Sequence, residues 1–369
     1  MLVFQKCWNI FKDHIMEVVH EYYNEGFLDW RNNTTFITLI PKKKGVATFH
    51  DYRPISLVGG IYKIVSKVLA NRLRNVLLVL ISPVKSAFVG ERQILDGVLV
   101  ANECIDSCLR AKENGILCKV DISKAYDNVN LGFLQYVLKR MGFKDKWCKW
   151  IHTCVSSAHF SILFEGSPFG FFTSQEGLRQ GDPISPFLFN LVMEALSRLV
   201  YKAMDLGFLH GFKPALSGPK VAMLQFADDT LFMCDASVSQ VLVLKVILLI
   251  FVAASGLKSN MKKTKVMAVG DVENLQCISH VLGCDIDTLL CHYLGLPLGA
   301  SYKSTVVWKP VIERINCRLG TWQRKYLSKA RRLVLIKSVL SNLPIYYMSV
   351  LVMPASVAVS IERKMKSFL

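Results

Sequence analysis

Two adjacent carboxylates stand in the middle of an apolar stretch, LQFADDTLFM, at residues 224–233. The apolar residues on either side predict two short strands, 221–226 and 230–234, so that Asp228 and Asp229 would lie at the turn of a hairpin. Two like charges at a tight turn repel each other, and Mg²⁺, which prefers hard oxygen ligands, is the simplest group to offset that repulsion. Aspartate is also common in surface turns, so the pair alone does not distinguish a metal site from an ordinary turn.

A third carboxylate, Asp121, ends another apolar run, CKVDIS. A sheet that contains both runs could bring Asp121 beside Asp228 and Asp229. Three carboxylates at one point could hold two metal ions about 3.5–4 Å apart, which activates an attacking hydroxyl and stabilises a departing pyrophosphate. The three residues together therefore predict phosphoryl transfer to a nucleotide chain.

Two loops offer groups that could contact a nucleotide. In EGLRQGDP, Gly177 and Gly181 would let the backbone approach a ligand closely, and Gln180 offers an amide for hydrogen bonding. Lys42, with the two lysines after it, and Arg53 provide cations suited to a triphosphate. Neither loop matches the GxxxxGK[ST] phosphate-binding pattern, so an ordinary surface loop stays open for each.

The charge of the chain favours a polyanionic partner. The formal net charge is +17 over 369 residues, and residues 301–369 hold thirteen basic residues against two acidic ones. Trp308, Trp322 and Tyr326 are interleaved with these bases, which favours a helical region along a phosphate backbone over a solvated cationic helix face. The eleven cysteines form no CxxC pair and the N-terminus has no signal-peptide pattern, so we expect an intracellular protein.

Helical periodicity supplies the elements that would position these groups. It predicts an amphipathic helix within residues 1–30 and a second helix over 62–80. Ser185 and Pro186 predict the N-cap and first position of another helix. Residues 241–254 are strongly apolar but too short to span a bilayer, and we interpret them as a buried helix.

Nine motifs in this order carry a resemblance to a known family: FITLIPKK, DYRPISL, YKIVSKVLANRL, SAFVGERQILDG, VDISKAYDNV, GLRQGDPISPFLF, FADD, SGLKSNMKKTK and YLGLPLG. Over nearly its whole length the chain resembles the reverse transcriptase domain of plant LINE-type (non-LTR) retrotransposons. The resemblance implies an α+β right-hand polymerase with fingers, a palm in which an antiparallel sheet packs on helices, and a helical thumb. Its implied parts are an N-terminal helical extension (1–30), fingers (31–115), a palm with part of the fingers near 130–180 (116–300), and a truncated basic thumb (301–369).

The resemblance also implies roles for individual residues. Asp121, Asp228 and Asp229 would be the catalytic and metal-binding carboxylates for two Mg²⁺ ions, with Mn²⁺ as a possible substitute. The implied nucleotide-binding residues are Lys42, Arg53, Tyr126 as the steric gate, Gln180, Gly181, and Lys263 near the pyrophosphate, where Lys262 and Lys265 compete for the role. Residues 293–299 resemble the primer-gripping turn. The implied nucleic-acid-binding residues of the thumb are Arg314, Arg318, Arg324, Lys325, Arg331 and Arg332.

The function implied is an RNA-directed DNA polymerase that extends a primer 3′-hydroxyl. Its partners would be an RNA template, a DNA primer and deoxynucleoside triphosphates, with no membrane, and family analogy implies residence in the nucleus. Glu176 departs from the family by placing a negative charge beside the glycine-rich loop, and we expect a fragment without the upstream endonuclease. The alternatives are a decayed fragment that only binds nucleic acid and an RNA-dependent RNA polymerase, whose spacing Asp127 would fit.

Overall fold

A computed structural model of the protein describes residues 2–46, 48–214, 218–301, 303–322 and 326–369. These residues form a mixed α+β structure with a four-stranded sheet, a five-stranded sheet and two two-stranded ladders. The five-stranded sheet, called the central sheet below, lies between two hydrophobic cores.

The described helices are, in chain order, α1 (Leu2–Lys6), α2 (Trp8–Glu25), α3 (Gly60–Leu80), α4 (Ile94–Arg110), α5 (Leu131–Arg140), α6 (Asp145–Ser156), α7 (Ser185–Asp205), α8 (Val238–Ser255), α9 (Leu275–Leu282), α10 (Lys309–Thr321), α11 (Lys329–Leu335), α12 (Ile345–Met348) and α13 (Ala355–Phe368). The described strands are β1 (Thr34–Pro41), β2 (Tyr52–Val58), β3 (Gly115–Val120), β4 (Ile122–Ser123), β5 (His159–Phe164), β6 (Ser167–Thr173), β7 (Met223–Phe226), β8 (Asp229–Asp235), β9 (Lys258–Ser259), β10 (Lys265–Val269), β11 (Asp285–Asp287), β12 (His292–Tyr293) and β13 (Leu296–Pro297). A π-helical turn, Ile336–Leu340, continues α11.

The predicted amphipathic helix at the N-terminus is confirmed, although it is broken into α1 and α2. Gly26 ends α2 with a φ of 65°, a left-handed conformation that glycine adopts without the steric cost of a Cβ. The hydroxyl of Tyr22 donates a hydrogen bond of 2.7 Å to the carbonyl of Trp150, and this bond fixes α2 to α6.

The four-stranded sheet has the order β2-β1-β5-β6, and the central sheet has the order β11-β10-β3-β8-β7. In the central sheet β3 pairs antiparallel with both β8 and β10, and only the edge pair β10–β11 is parallel. Val120 of β3 lies opposite Thr230 of β8. This register decides which side chains share a face, because successive strand residues point to opposite faces.

The two faces of the central sheet differ in what covers them. On the helical face, Ile116, Cys118 and Val120 belong to the core that also contains the buried side chains of α7 and α8. On the opposite face, called the cleft face, Leu117 of β3 and Leu231 of β8 belong to a second core with residues of α4, β12–β13 and the C-terminal helices. The alternation therefore gives β3, β7, β8 and β10 buried apolar residues on both sides of the sheet, whereas the edge strand β11 is exposed.

Two sequence predictions about helices need correction. Ser185 is the first residue of α7 and not its N-cap, which is Ile184. The helix predicted at 241–254 exists as α8, but it is not wholly buried: Leu242, Val246 and Leu249 are exposed on its outer side. By length and composition α8 is the one described helix that could cross a membrane, yet its inner side packs in the core of the helical face.

The C-terminal helices α10–α13 form the predicted helical region, but their tryptophans serve mainly in packing. Trp308 is fully buried and lies 5.7 Å from the ring of Tyr347. Trp322 is half-buried, with its ring 5.5 Å from that of Phe368. Of the three aromatic residues expected to contact a phosphate backbone, Tyr326 is the exposed one, at 70%.

Candidate active site

The β7–β8 hairpin carries the paired aspartates in a geometry that differs from the prediction. Phe226 pairs with Asp229, so the turn consists of Ala227 and Asp228, while Asp229 already belongs to β8. Only Ala227 has a positive φ, 54°, which is an uncommon conformation for a residue with a Cβ. The buried side-chain amide of Gln225 donates to the carbonyl of Ala227 at 3.0 Å and so supports the turn.

Asp121 and Asp229 face the same cleft from neighbouring strands. Asp121 directly follows Val120 of β3, and continuing the β3–β8 register by one residue places it opposite Asp229. The backbone N–H of Asn260 donates to the carbonyl of Asp121 at 2.7 Å and fixes the chain there. The cleft has a volume of about 470 Å³ and is lined by Lys119, Asp121, Asp229, Lys263, Lys265, Met267, Asp287, Thr288, Leu290, Cys291 and His292.

Two lysines balance part of the negative charge in the cleft. The ammonium of Lys263 lies 3.6 Å from Asp121, and that of Lys119 lies 4.0 Å from Asp229. Lys265 also lines the cleft, but its ammonium lies 2.8 Å from Asp285 on β11. Of the two cleft lysines in the SGLKSNMKKTK motif, Lys263 is therefore the one paired with a carboxylate of the predicted triad.

The electrostatics of the cleft suit a divalent cation. Burial raises the pKa of Asp229, Lys119 lowers it, and the nearby charges of Asp228 and Asp121 raise it further. Carboxylate oxygens that repel each other in a reachable cleft are the donor set that Mg²⁺ prefers. Within the described ranges, however, no three His, Cys, Asp or Glu side chains lie close enough together to count as a ready-made metal group.

Tyr126 lies against α7 and close enough to Asp228 to be affected by its charge. The ring of Tyr126 stacks on that of Phe189, with centroids 5.0 Å apart and an interplanar angle of 19°. Burial, and secondarily the charge of Asp228, raises the pKa of Tyr126 well above its usual range. Tyr126 is therefore a neutral, firmly held ring next to one of the predicted catalytic carboxylates.

The glycine-rich loop is fastened between β2 and the segment that follows β4. The side-chain amide of Gln180 donates to Asp127 at 3.1 Å, and its carbonyl accepts from the backbone N–H of Ser56 on β2 at 2.8 Å. Gly181 has a φ of 108°, and a Cβ added there would lie 3.0 Å from the carbonyl oxygen of Ser56. The loop therefore needs glycine at this position both for its conformation and for its close approach to β2.

A second cleft, of about 490 Å³, lies between this loop and the four-stranded sheet, and its lining includes Pro54, Ser56, Asp127, Phe172 and Gln180. Burial raises the pKa of Asp127, while Gln180, Lys124 and Lys42 lower it. Lys42 is therefore close enough to the second cleft for its charge to act on Asp127. Arg53 is exposed on β2, opposite Ile40 of β1.

Sequence reasoning missed two buried charges in the same loop. The guanidinium of Arg179 donates to Asn33 at 2.6 Å and to the carbonyl of Cys154 at 2.8 Å. Asp182 accepts from the hydroxyl of Tyr62 at 2.7 Å and from the hydroxyl of Ser66. These charges lie in a loop without periodicity, so no sequence pattern indicated that they are buried.

The stretch that resembles a primer-gripping turn forms the β12–β13 hairpin. Leu294 and Gly295, the two turn residues, have φ values of 52° and 81°. This is the pattern of a two-residue turn with both central residues left-handed. The hydroxyl of Tyr346 donates to the carbonyl of Leu294 at 2.7 Å and ties the turn to the C-terminal helices.

The predicted nucleic-acid-binding arginines are only partly presented to solvent. Arg314 and Arg318 are exposed one turn apart on α10, and Arg331 is exposed on α11. Arg332 is half-buried and its guanidinium donates to the carbonyl of Phe368 at 3.1 Å, so it also holds α11 against α13. Arg324 and Lys325 lie outside the described residues.

Known proteins resemble the chain at several levels. The "Transposon TX1 uncharacterized 149 kDa protein" of Xenopus laevis is 25% identical over 370 residues, which cover 99% of this chain and 28% of that protein. The "Retrovirus-related Pol polyprotein from type-1 retrotransposable element R2" of Popillia japonica is 27% identical over 206 residues, which cover 54% of this chain and 27% of that protein. A structure of telomerase from Candida albicans with an RNA fragment aligns with a TM-score of 0.49 and 12% identity, over 92% of this chain and 55% of that chain. The chain thus spans less than a third of the two curated relatives.

The family "Reverse transcriptase (RNA-dependent DNA polymerase)" matches residues 40–298, which include the whole lining of the aspartate cleft, the glycine-rich loop and the three aspartates. The predicted α+β polymerase fold, in which an antiparallel sheet packs on helices, is confirmed by this match together with the observed architecture, although the edge pair β10–β11 is parallel. By their names, one of the two relatives belongs to a transposon and the other to a retrotransposable element. The chain belongs to the reverse transcriptase family, the RNA-directed DNA polymerases.

Proposed function

We propose that the chain is the polymerase of a plant LINE-type element, which transfers deoxynucleotides to a primer 3′-hydroxyl on an RNA template by a two-metal mechanism. The observation that carries the proposal is the shared cleft of Asp121 and Asp229, with Asp228 at the adjoining turn. Neighbouring antiparallel strands hold the first two carboxylates on one face, and Lys263 and Lys119 limit their repulsion. The plant origin rests on the nine sequence motifs alone.

Asp121, Asp228 and Asp229 would hold the divalent cations, Mg²⁺ or alternatively Mn²⁺. When bound, such ions activate the primer hydroxyl and neutralise charge on the leaving pyrophosphate. Lys263, whose ammonium faces Asp121, would bind the phosphate side of the nucleotide as a mobile point charge. Lys42 and Arg53 would meet the triphosphate from the four-stranded sheet.

Nucleotide choice in this proposal depends on Tyr126. Its ring is stacked on Phe189 and cannot tilt away without losing that contact, so it would exclude a ribose 2′-hydroxyl. Gln180 and Gly181 would form the floor under the template–nucleotide pair, because the loop is fixed to β2 and to Asp127.

The remaining assignments belong to the same proposal. The divisions are the extension at 1–30, fingers at 31–115, palm at 116–300 and a basic thumb at 301–369, where Arg314, Arg318 and Arg331 would contact the RNA/DNA duplex. We propose nuclear residence and no membrane partner.

Primer extension tests the proposal. A DNA primer annealed to RNA is incubated with the purified chain and Mg²⁺, with deoxynucleotides and separately with ribonucleotides. We expect deoxynucleotide addition that Asp228→Asn abolishes, and Asp205→Asn, on the last residue of α7, serves as a matched control at a distance from the cleft.

The competing proposal is a catalytically decayed fragment that still binds nucleic acid, which Glu176 beside the template-facing loop favours. Binding of the RNA/DNA hybrid by the folded chain with no incorporation would support it. Preferential incorporation of ribonucleotides would instead indicate an RNA polymerase.

A further inference from the structure

Lys119 is a cleft residue that none of the sequence motifs singles out. It lies on β3 two residues before Asp121, and both side chains point to the cleft face. Its partners in register are Leu231 on β8 and Lys265 on β10. Lys119 thus has one buried apolar neighbour and one cationic neighbour directly across the sheet.

The ammonium of Lys119 joins two parts of the site that are far apart in the chain. It donates a hydrogen bond of 2.9 Å to the backbone carbonyl of His292, the first residue of β12. It also lies 4.0 Å from Asp229. The side chain is 29% exposed, so these contacts are only partly screened by water.

The neighbouring lysine shows that this placement is specific. Like charges directly opposite each other on a sheet are unfavourable, and each needs its own partner. Lys265 turns to Asp285 on β11 at 2.8 Å, whereas Lys119 turns to Asp229 and His292. Lys119 and Lys265, which lie directly opposite each other in the sheet, therefore bind different partners.

The β12–β13 hairpin is held at both ends by such contacts. At its turn, Tyr346 bonds to the carbonyl of Leu294 and ties the hairpin to the C-terminal helices. At its base, Lys119 ties it to the central sheet beside Asp229. Without Lys119, the hairpin would keep its bond to the C-terminal helices but would lose its bond to the central sheet beside Asp229.

We propose that Lys119 is a positioning residue that sets the distance between the β12–β13 hairpin and Asp229, and thereby places the primer terminus against the carboxylates. The inference rests on the proposed function for the primer, but the coupling itself is a property of the chain alone. A hairpin that shifts by a fraction of an ångström misaligns the primer hydroxyl, and small misplacements are costly in group transfer.

Hydrogen exchange of the metal-free chain, with no nucleic acid, tests the coupling. Lys119→Met keeps the apolar stem but removes the donor and the charge. We expect about tenfold faster exchange for the hairpin amides, including that of Leu298, which donates to Cys291. The β3–β8 ladder should exchange as in the unmodified chain. Lys265→Met is the matched control, because it removes a charge from the same row without touching the hairpin.

Steady-state primer extension provides the second readout. For Lys119→Met we expect kcat to fall about 10- to 100-fold with a much smaller change in the KM for the deoxynucleotide. Lys119→Arg keeps a donor and a charge, and we expect it to restore both hairpin protection and most of kcat.

Unchanged hairpin exchange in Lys119→Met, or exchange no faster than in Lys265→Met, would overturn the inference. Failure of Lys119→Arg to restore protection would overturn it as well, and this variant decides the matter if Lys119→Met does not fold. A chain that extends no primer but whose hairpin loosens in Lys119→Met would contradict the proposed function and still support the coupling.

Discussion

The two faces of the central sheet use the same strands for different purposes. On the helical face, β3 and β8 present Cys118, Val120 and Phe232, all buried against the helices. On the cleft face, β3 presents buried Leu117 and then Lys119, with Asp121 directly after the strand. β8 begins with Asp229 and continues with buried Leu231 on the same face. A period of two residues is thus enough to separate packing from chemistry within one strand. The comparison teaches that substitutions on the two faces of β8 should have different effects. A change on the cleft face should reduce activity, and a change on the helical face should reduce stability.

The largest effects should come from one variant on each face of β8. Asp229→Asn should reduce primer extension by about 10³-fold, since in the proposed function it would remove a charged metal ligand, while the melting temperature stays the same or rises. Phe232→Ala should lower the free energy of unfolding by about 3–5 kcal/mol, because it leaves a cavity in the core of the helical face.

Thermal unfolding and primer extension on the same preparations check this pair. The two-face interpretation would be wrong if Asp229→Asn unfolded the chain. It would also be wrong if Phe232→Ala abolished extension at a temperature where the variant is fully folded.

A buried ion pair on the helical side provides the next prediction. The ammonium of Lys85 lies 3.2 Å from Glu194 on α7, and both side chains are almost fully buried. Lys85→Met should lower the free energy of unfolding by about 3 kcal/mol or more, because Glu194 is left buried without this partner.

The same pair should give the chain a specific pH dependence. Burial lowers the pKa of Lys85 from 10.5 to about 7, with Glu194 acting in the opposite direction. The unfolded chain therefore binds more protons at this lysine between those values, so stability should rise as the pH increases from about 7 to 10.5. Denaturant titrations across this range should show the rise in the unmodified chain. An equal rise in Lys85→Met would assign it to other groups.

The smallest predicted effect concerns Tyr126, which lies between the core of the helical face and Asp228. Its ring packs on Phe189 of the helical-face core and lies near Asp228 at the cleft. Tyr126→Ala should increase ribonucleotide incorporation relative to deoxynucleotide incorporation by about 10- to 100-fold. Competition assays with both nucleotides measure the ratio. Tyr126→Phe keeps the ring and is the control, and a loss of discrimination in that variant would argue against a steric role.

Sequence reasoning found the residues of the site more readily than their geometry. Asp121 and Asp229 could be placed near each other because apolar strands precede or contain them. The turn could not be located, since the choice of Ala227 and Asp228 depends on cross-strand register and on the bond from Gln225. Lys119 was missed because a single lysine in an apolar strand shows no pattern of its own.

Elements without amphipathic periodicity were also the ones whose environment could not be predicted. α8 is apolar on every side, so the sequence indicated a helix but not that Leu242 and Val246 face solvent. Trp308 stands among basic residues in the sequence but is buried in the structure, because its ring packs on Tyr347. In both cases tertiary contacts decide the outcome.

The bonds of Arg179 and Asp182 have a consequence for motion. Arg179 fixes the glycine-rich loop to Asn33, just before β1, and to the end of α6, while Asp182 fixes it to α3 through Tyr62. The loop is thereby hydrogen-bonded to α3, to α6 and to the residue that precedes β1 of the four-stranded sheet. If this part of the molecule swings toward the carboxylates when a nucleotide enters, it must swing as a unit, and the hinge must lie outside it. The glycine-rich loop would then reach the nucleotide in its final conformation. The conformational entropy of ordering this loop would have been lost once, during folding, and not in each cycle of synthesis.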